Sequence, residues 1–438
     1  MKEKNIKKKR SQMSKKRRNN AILYTLYKMC SWDLLSFYPV EFLFYTITKG
    51  ITASQILILT SLYMISKILF QIPAVAISDY FGKKRAIVLG NVVLIIYMIT
   101  LIFAPNLIWI AIANVFCAFG YDLKLIAEGN LLYDSVATKG GDGIYTKIDS
   151  KGASGHYILD TVLAVIAGYL FVINNYIPMY ICLAFLIIST ILSLKFKDIY
   201  REQEVEKERF SEFLKGYSTN IIDSFRFIKK SNRMKSYLIF ATVFYGLIKT
   251  MSTYKNDLLI DMEVTEEQFT MIYAVLSLIA SVTVTYSRKI QRQFKNKTLT
   301  FLSLSYIISI ILVGMISIKL TNNIAIPLIL IFYTITRICD SQWWITEYTY
   351  LRNFTTPESR NKIIFTYELI TGIGASIISF VGALILEYVN IKYAMLLIGL
   401  LFLAIITVVL DYMSKRFGLR PEQYKKEDIE FSINKTRV

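Results

Sequence analysis

The sequence is poor in the residues on which metal and thiol chemistry depend. Its 438 residues include a single histidine, His156, and four cysteines. The cysteines stand far apart, each within an apolar run: Cys30, Cys117, Cys182 and Cys339. Because zinc sites and disulfide frameworks need such residues at short, clustered spacings, we expect free thiols, no metal site and no cofactor.

Motifs for nucleotide-driven or hydrolytic chemistry are also missing. The sequence contains no Gly-Lys-Ser or Gly-Lys-Thr phosphate-binding loop, no His-Glu-x-x-His pair and no nucleophile elbow. These absences exclude an ATP-driven pump and a soluble catalytic domain, and they predict that the protein is not an enzyme.

Apolar residues, in contrast, are abundant. They make up 54% of the chain and recur in runs of about twenty residues, the length of helix that crosses the roughly 30 Å hydrocarbon layer of a bilayer. The pattern predicts an all-α, polytopic membrane protein with twelve transmembrane helices, over residues 21–47, 54–78, 86–104, 107–135, 153–173, 176–195, 236–258, 266–288, 298–318, 323–352, 362–387 and 390–413.

The net charge is +19, and the cationic residues that produce it are distributed along the chain as in a membrane protein. Cations concentrate in the N-terminal tail and in alternate loops: Lys83–Arg85, Lys139–Lys151, Arg288–Lys297, Arg352–Lys362 and Lys415–Lys426. The intervening loops are short or, like Asp257–Glu267, acidic. Because cytoplasmic loops carry the excess of Lys and Arg, both termini are expected in the cytoplasm. The basic charge therefore indicates a lipid bilayer as partner, with no nucleic acid.

A polar stretch over residues 196–235 divides the spans into two sets of six. Within it, apolar side chains recur at helical spacing and predict an amphipathic helix on the membrane surface: Phe210, Leu214, Tyr217, Ile221, Phe225 and Ile228. The expected organisation is a basic cytoplasmic tail over residues 1–20, a six-helix bundle over 21–195, a cytoplasmic linker over 196–235, a second bundle over 236–413 and a cytoplasmic tail over 414–438.

One loop between predicted spans carries a recognisable motif. Ile72–Ile87 reads IPAVAISDYFGKKRAI, in which an acid, a glycine and three cations form a short joint. The joint between spans 2 and 3 of the major facilitator superfamily reads Gly-x-x-x-Asp-Arg-x-Gly-Arg-Arg/Lys. The sequence matches it at Asp79, Gly82, Lys83 and Lys84 and departs from it at Val75 and Tyr80. In this joint, and in its six-plus-six plan, the chain resembles that superfamily.

The resemblance implies a fold and a hinge. The fold is two pseudo-symmetric six-helix bundles that give alternating access to a site near the middle of the membrane. The hinge is the joint itself, and the resemblance implies a gating role for Asp79, Gly82 and Lys83, together with Asp134 at the end of span 4.

Several spans contain charged side chains, which cost about 2.5–3.5 kcal/mol each at the bilayer centre even on a lenient scale and mark function by default. The resemblance implies that spans 1, 4, 7 and 10 line a central cavity. In this sequence those spans carry the candidate residues for substrate binding or coupling: Asp33, Asp122, Lys124, Glu128, Lys249, Arg337, Asp340, Trp344 and Glu347.

Some of these charges have a structural alternative. Residues three or four apart on a helix lie on one face and can neutralise each other, as the pairs Lys124–Glu128, His156–Asp160 and Arg337–Asp340 are placed to do. Asp33 is the first candidate for proton coupling, because the nearest cation in its span, Lys28, is five residues away. Glu128 and Asp340 follow it.

These features predict a secondary active transporter that exports an amphiphilic, drug-like or peptide-like organic compound by proton antiport. Two alternatives stay open: an uptake symporter for a polar metabolite, and a membrane sensor or membrane enzyme that uses the same scaffold without transport. The expected partners are a small-molecule solute, a proton or other coupling ion and the bilayer. The expected setting is a monomer in a bacterial cell membrane.

Overall fold

In the computed structural model, residues 2–136, 141–199, 226, 232–294, 297–354 and 360–414 are described. Throughout these residues the regular structure is helical. Twelve long helices follow the twelve predicted spans in order: α1 Lys2–Ser31, α2 Ala53–Phe81, α3 Lys83–Phe103, α4 Leu107–Val136, α5 Gly141–Ile173, α6 Ile177–Leu194, α7 Asn232–Asp261, α8 Glu266–Thr285, α9 Thr298–Lys319, α10 Asn322–Phe354, α11 Arg360–Tyr388 and α12 Ile391–Ser414. A short helix, Ser287–Phe294, precedes α9.

Nine of the described helices are long and apolar enough to cross a membrane by themselves. The other three long helices are α1, α7 and α8. Helix α7 carries Lys249, Lys255 and Asp257 along its length, and α8 opens with Glu266 and Glu267. The charged side chains of α7 lower its apolar content, and α1 consists largely of the basic tail and ends at Ser31, so that it contains only the first part of span 1.

Span 1 is not the continuous helix over residues 21–47 that hydropathy predicts. Helix α1 ends at Ser31, and the chain then turns through residues 32–37. A 3₁₀ turn, a single α-helical turn and a π-helical stretch complete the span between Tyr38 and Thr48. We call residues 32–37 the α1 break.

Local chemistry explains the α1 break. Pro39 has no N–H, and its ring would clash with the carbonyl four residues before it in a continuous helix. The Asp33 carboxylate accepts a hydrogen bond from the backbone N–H of Leu34 at 3.2 Å, which competes with helical hydrogen bonding. Ser36 has a positive φ of 68°, outside the helical range.

The joint between α2 and α3 turns at a single glycine. Helix α2 ends at Phe81, and α3 begins at Lys83. Gly82 lies between them with φ at +97°, a conformation that residues with a Cβ atom rarely adopt.

The chain forms two compact units. Unit 1 comprises Met1–Gly50 and Ser66–Lys215, and unit 2 comprises Ile51–Ile65 and Gly216–Val438. This division differs from the sequence-derived bundles in one respect, since the first part of α2 groups with unit 2. There, Ser61 and Ser376 each donate a hydroxyl hydrogen bond to the other's carbonyl oxygen, both at 3.0 Å.

The two units share one internal packing pattern. In unit 1, α3 packs against α4 and α6, and α1 packs against α5 and α6. In unit 2, α9 packs against α10 and α12, and α7 packs against α11 and α12. Each pairing recurs six helices further along the chain, which is the structural repeat expected of two related six-helix bundles. Of the predicted linker over residues 196–235, only 196–199, Arg226 and 232–235, which begin α7, are described, and the amphipathic segment and most of the C-terminal tail lie outside the described residues.

Helices α3 and α4 approach each other most closely where each has a glycine. A Cβ atom added at Gly90 would lie 2.8 Å from the carbonyl oxygen of Gly120, closer than real Cβ contacts come. The Gly90–Gly120 contact thus permits backbone-to-backbone packing, as small residues do between membrane helices.

We predict that Gly90→Ala lowers the stability of the purified protein in detergent by about 1–3 kcal/mol, because the added methyl overpacks this contact. Thermal unfolding followed by circular dichroism measures the effect. Leu89→Ala, at an exposed position of the same helix turn, is the matched control and should change little. Equal melting temperatures for the two variants would contradict the close packing of α3 against α4.

Candidate functional site

The end of α1 and the α1 break are held by a histidine and a lysine from two other helices of unit 1. The backbone N–H of Trp32 still bonds to the carbonyl oxygen of Lys28 at 3.1 Å. Beyond it, the carbonyl of Met29 accepts from Nδ1 of His156 at 3.0 Å, and the carbonyl of Trp32 accepts from Nζ of Lys124 at 3.4 Å. Because a carbonyl only accepts, Nδ1 of His156 carries its proton here. Lysine at a helix C-terminus also complements the helix dipole.

Glu128 lies at the centre of a buried polar network. Its Oε1 accepts a hydrogen bond from the hydroxyl of Tyr27 at 2.6 Å, and Tyr27 in turn accepts from the amide of Asn91 at 3.2 Å. Nζ of Lys124 lies 3.8 Å from the same Oε1. All four side chains are buried. The Lys124–Glu128 pair that helical spacing allows is therefore formed.

A second ion pair in unit 1 joins Lys28 to Asp149. Tyr24 donates to the same carboxylate at 3.2 Å, and the Lys28 ammonium lies 4.6 Å from the centroid of the Trp32 ring. Sequence reasoning missed this pair. Asp149 precedes the predicted start of span 5, and 121 residues separate the partners.

Asp33 lies in the α1 break and is exposed. Its Oδ1 accepts from the hydroxyl of Tyr121 at 2.6 Å, and that hydroxyl lies 3.2 Å from the hydroxyl of Tyr38. Because Asp33 is exposed, burial of its carboxyl gives no support to a role in proton coupling. That role stays a prediction. Asp122, the next residue on α4, is buried.

Unit 2 carries a cluster of charged and aromatic side chains on α7 and α10, which we call the Trp344 cluster: Tyr245, Lys249, Arg337, Asp340 and Trp344. Asp340 is fully engaged, because one oxygen accepts from Arg337 at 3.2 Å and the other accepts from the indole N–H of Trp344 at 3.1 Å. The Lys249 ammonium lies 5.6 Å from the Trp344 ring centroid, and the Tyr245 ring meets it edge-on at 5.7 Å.

The two adjacent tryptophans of α10 have different surroundings. Trp343 is fully buried and packs against Phe240 and Phe244 with ring centroids 5.8 and 5.3 Å away. Trp344 is 39% exposed, and the neighbouring Arg337 side chain is 37% exposed. Trp343 is thus a core residue, whereas Trp344 presents an aromatic surface beside charged groups.

Lys255 is a further residue that sequence reasoning missed. Its ammonium lies 3.4 Å from the hydroxyl of Thr336 and within 6 Å of the ring centroids of Tyr306 and Tyr333. Tyr333 also donates to the backbone carbonyl of Lys255 at 3.1 Å. Lys255 lies two residues before Asp257, near the end of span 7, and its position in the sequence gave no signal that it faces α10.

Among the described acids of unit 2, Glu347 is the most enclosed, with 5% of its surface exposed. Its Oε1 accepts from the hydroxyl of Tyr367 at 2.7 Å, and Tyr237 donates to its backbone carbonyl at 3.0 Å. The rings of Tyr237 and Tyr367 stack with centroids 5.8 Å apart. Within the described part of the chain, Oε2 of Glu347 has no hydrogen-bond partner.

The hinge residues Lys83 and Asp134 form an ion pair across α3 and α4. Asp198, at the start of the linker, accepts from the backbone N–H of Lys84 at 2.9 Å and so caps the first turn of α3. Sequence reasoning missed Asp198, which has no counterpart in the motif of the joint. The side chain of Asp79 lies outside the described residues.

A lysine outside the spans, Lys49, caps the C-terminal end of α3. Lys49 follows the π-helical stretch of span 1 and donates to the carbonyl oxygens of Ile102 and Ala104 at 2.8 and 3.1 Å. Partial burial lowers the pKa of Lys49 from its ordinary value. The lysine therefore caps the last carbonyls of α3, which would otherwise lack partners.

Twelve long helices, a six-helix packing repeat and charged clusters within the spans define a multi-pass membrane transporter. The sequence profile of the Major Facilitator Superfamily matches residues 22–336. The chain belongs to this superfamily, and the all-α six-plus-six fold and the resemblance stated from the sequence are confirmed.

Solved structures agree with this assignment. The nucleoside transporter NupG is 14% identical with a TM-score of 0.69, covering 91% of this chain and 98% of that one. A D-xylose–proton symporter is 10% identical with a TM-score of 0.66, covering 92% and 98%. A POT family transporter in complex with 5-aminolevulinic acid is 15% identical with a TM-score of 0.65, covering 91% and 96%. A comparison with curated proteins found no match. At such identities the likeness concerns the fold alone.

We predict that Lys124→Met destabilises the protein by about 3–5 kcal/mol, because it leaves the buried carboxylate of Glu128 without its cation. The double variant Lys124→Met/Glu128→Gln should recover most of this loss, since it removes both charges. Thermal unfolding of the single and double variants in detergent forms the test. Equal destabilisation by the single and double variants would show that the pair is not coupled.

Proposed function

We propose that this transporter is secondary active, works by alternating access and exports an amphiphilic organic compound in exchange for protons. The Trp344 cluster is the observation that carries the proposal. Its indole is half-exposed and adjoins the Lys249 ammonium and the Asp340 carboxylate, which also accepts from Arg337. An aromatic face next to fixed charges suits a solute that combines a flat apolar part with a charged group.

The driving force proposed for this cycle is a proton gradient. Support comes from the many carboxylates within the spans of a chain that has no nucleotide-binding motif. Acidic groups inside the membrane are typical of proton relays in transporters. We further infer that the protein works as a monomer in a bacterial cell membrane with both termini cytoplasmic, which the alternation of cationic loops supports.

A gating role is proposed for the hinge of Asp79, Gly82, Lys83 and Asp134. The Lys83–Asp134 ion pair supports this role. It joins the start of α3 to the end of α4, and such a pair can stabilise one conformation over another. The turn at Gly82 is the point about which α2 and α3 diverge.

Uptake by symport is the second candidate. The fold is shared with a D-xylose–proton symporter, so the same architecture serves proton-coupled symport elsewhere. Proteoliposomes with an imposed pH gradient and a panel of labelled amphiphilic and polar solutes separate the two directions. Export by antiport requires solute and protons to move in opposite directions, and movement in the same direction would establish symport.

We predict that Trp344→Ala weakens solute recognition by about 1–2 kcal/mol, which is roughly a five- to thirtyfold rise in KM, because an aromatic and cation–π surface is lost. Initial transport rates in proteoliposomes, with the solute found in the panel, measure it. Trp109→Ala removes another exposed tryptophan, on α4, and should leave KM unchanged. An unchanged KM in Trp344→Ala would remove the Trp344 cluster from the site.

We predict that the charge changes Lys83→Asp and Asp134→Lys each impair transport strongly, because each places like charges together. A charge-assisted contact contributes about 1.5–3 kcal/mol, equivalent to roughly a ten- to hundredfold shift between conformations. The double variant restores opposite charges and should recover part of the rate. Single variants with full transport would indicate that the Lys83–Asp134 pair has no gating role. A wild-type protein that transports none of the panel solutes would favour the sensor alternative.

A further inference from the structure

Two buried glutamates of the spans differ in how their charge is compensated. Glu128 of unit 1 accepts from Tyr27 and has the ammonium of Lys124 3.8 Å from its Oε1. Glu347 of unit 2 accepts from Tyr367 through Oε1 only, and its Oε2 is buried without a partner among the described residues. In the described part of the chain, no cation lies within ion-pair distance of Glu347.

The groups that face Glu347 come from two neighbouring helices. Helix α11 contributes Tyr367, which donates to Oε1, and the acid Glu368. Helix α7 contributes Tyr237, on the backbone carbonyl, and the more distant cation Lys249. The phenols and the second acid do not neutralise a carboxylate, and Lys249 lies beyond ion-pair distance. An ionised Glu347 would therefore be a buried charge that is only partly compensated.

A carboxyl in such surroundings is stabilised by taking up a proton. Protonation removes the charge that burial penalises and turns Oε2 from an orphaned acceptor into a hydroxyl. Tyr367 remains able to donate to the other oxygen. Burial alone does not distinguish Glu347 from Glu128, because the two are buried to a similar degree. The difference is that Glu128 has a lysine beside it.

From this geometry we propose that Glu347 is the proton-carrying residue of the transport cycle. In the enclosed arrangement described here its Oε2 holds a proton, and when the site opens to water on one side the proton leaves to solvent and the carboxylate is hydrated. Closing again requires the carboxylate to take a proton back from water. The coupling role of Glu347 rests on the proposed function. The protonation of Glu347 in the enclosed arrangement is independent of that function.

The protonation is tested without any solute. Infrared difference spectroscopy of the full-length protein in lipid, titrated with pH, detects the C=O stretching band of a protonated buried carboxyl. The expected result is a band in the wild type that is lost in Glu347→Gln and returns, shifted, in Glu347→Asp. Glu368→Gln, which changes the neighbouring acid, is the matched control and should keep the band. A wild-type band that survives in Glu347→Gln, or the absence of any such band, would overturn the proposal.

Coupling is tested in proteoliposomes with the solute found in the panel. Glu347→Gln should lose accumulation driven by a pH gradient and should keep solute counterflow, which needs no net proton movement, while Glu368→Gln keeps both. Gradient-driven accumulation in Glu347→Gln would overturn the coupling role. If the band belongs to Glu347 but the wild type moves no solute, the proposed function fails and the protonation stands.

Discussion

The satisfaction of charge inside the spans is the constraint on which the rest of this structure depends. A bilayer offers no water to a buried ion, so each ionisable group must find its partner within the protein. The partners here are mostly tyrosine hydroxyls and ends of helices. Tyr27 bonds to Glu128, Tyr121 to Asp33 and Tyr367 to Glu347. At the end of α1, the carbonyl of Met29 accepts from His156 and the carbonyl of Trp32 accepts from Lys124. Side chains that sequence alone presents as isolated charges are thus parts of networks, and those of Glu128 and Glu347 each join three helices.

The six-helix repeat places these networks at related positions but does not make them equal. In unit 1 a tyrosine of α1 bonds to the side chain of a glutamate on α4. Six helices on, a tyrosine of α7 bonds to a glutamate of α10 through its backbone carbonyl, and the side chain turns to α11 instead. Lys124, which neutralises Glu128, lies four residues before it on α4. The residue four before Glu347 on α10 is Trp343, an apolar core residue. The same helix packing therefore supports one acid with a cation at ion-pair distance, Glu128, and one acid that is only partly compensated, Glu347.

How far the sequence predicts this structure depends on the range of each interaction. The twelve helices follow from runs of apolar residues, and Lys124–Glu128 follows from a spacing of four on one helix. Lys83–Asp134 was accessible only because the joint resembles that of a known family. Lys28–Asp149 and the hydroxyl of Tyr367 had no local signal, because such pairs are set by the packing of separate helices. Span 1 was predicted as continuous because hydropathy averages over Pro39 and Asp33, whose effects are stereochemical.

The α1 break has a consequence for biogenesis. The first span enters the membrane with Lys28 and Asp33 in it, and the groups that satisfy this region are not yet made. Asp149 lies 121 residues and His156 127 residues beyond their partners, a delay of roughly 6–25 s at a synthesis rate of about 5–20 residues per second. Until α5 emerges, the first span must remain beside water or the insertion machinery rather than in lipid. Unit 1 is therefore expected to assemble only after its fifth helix has been inserted.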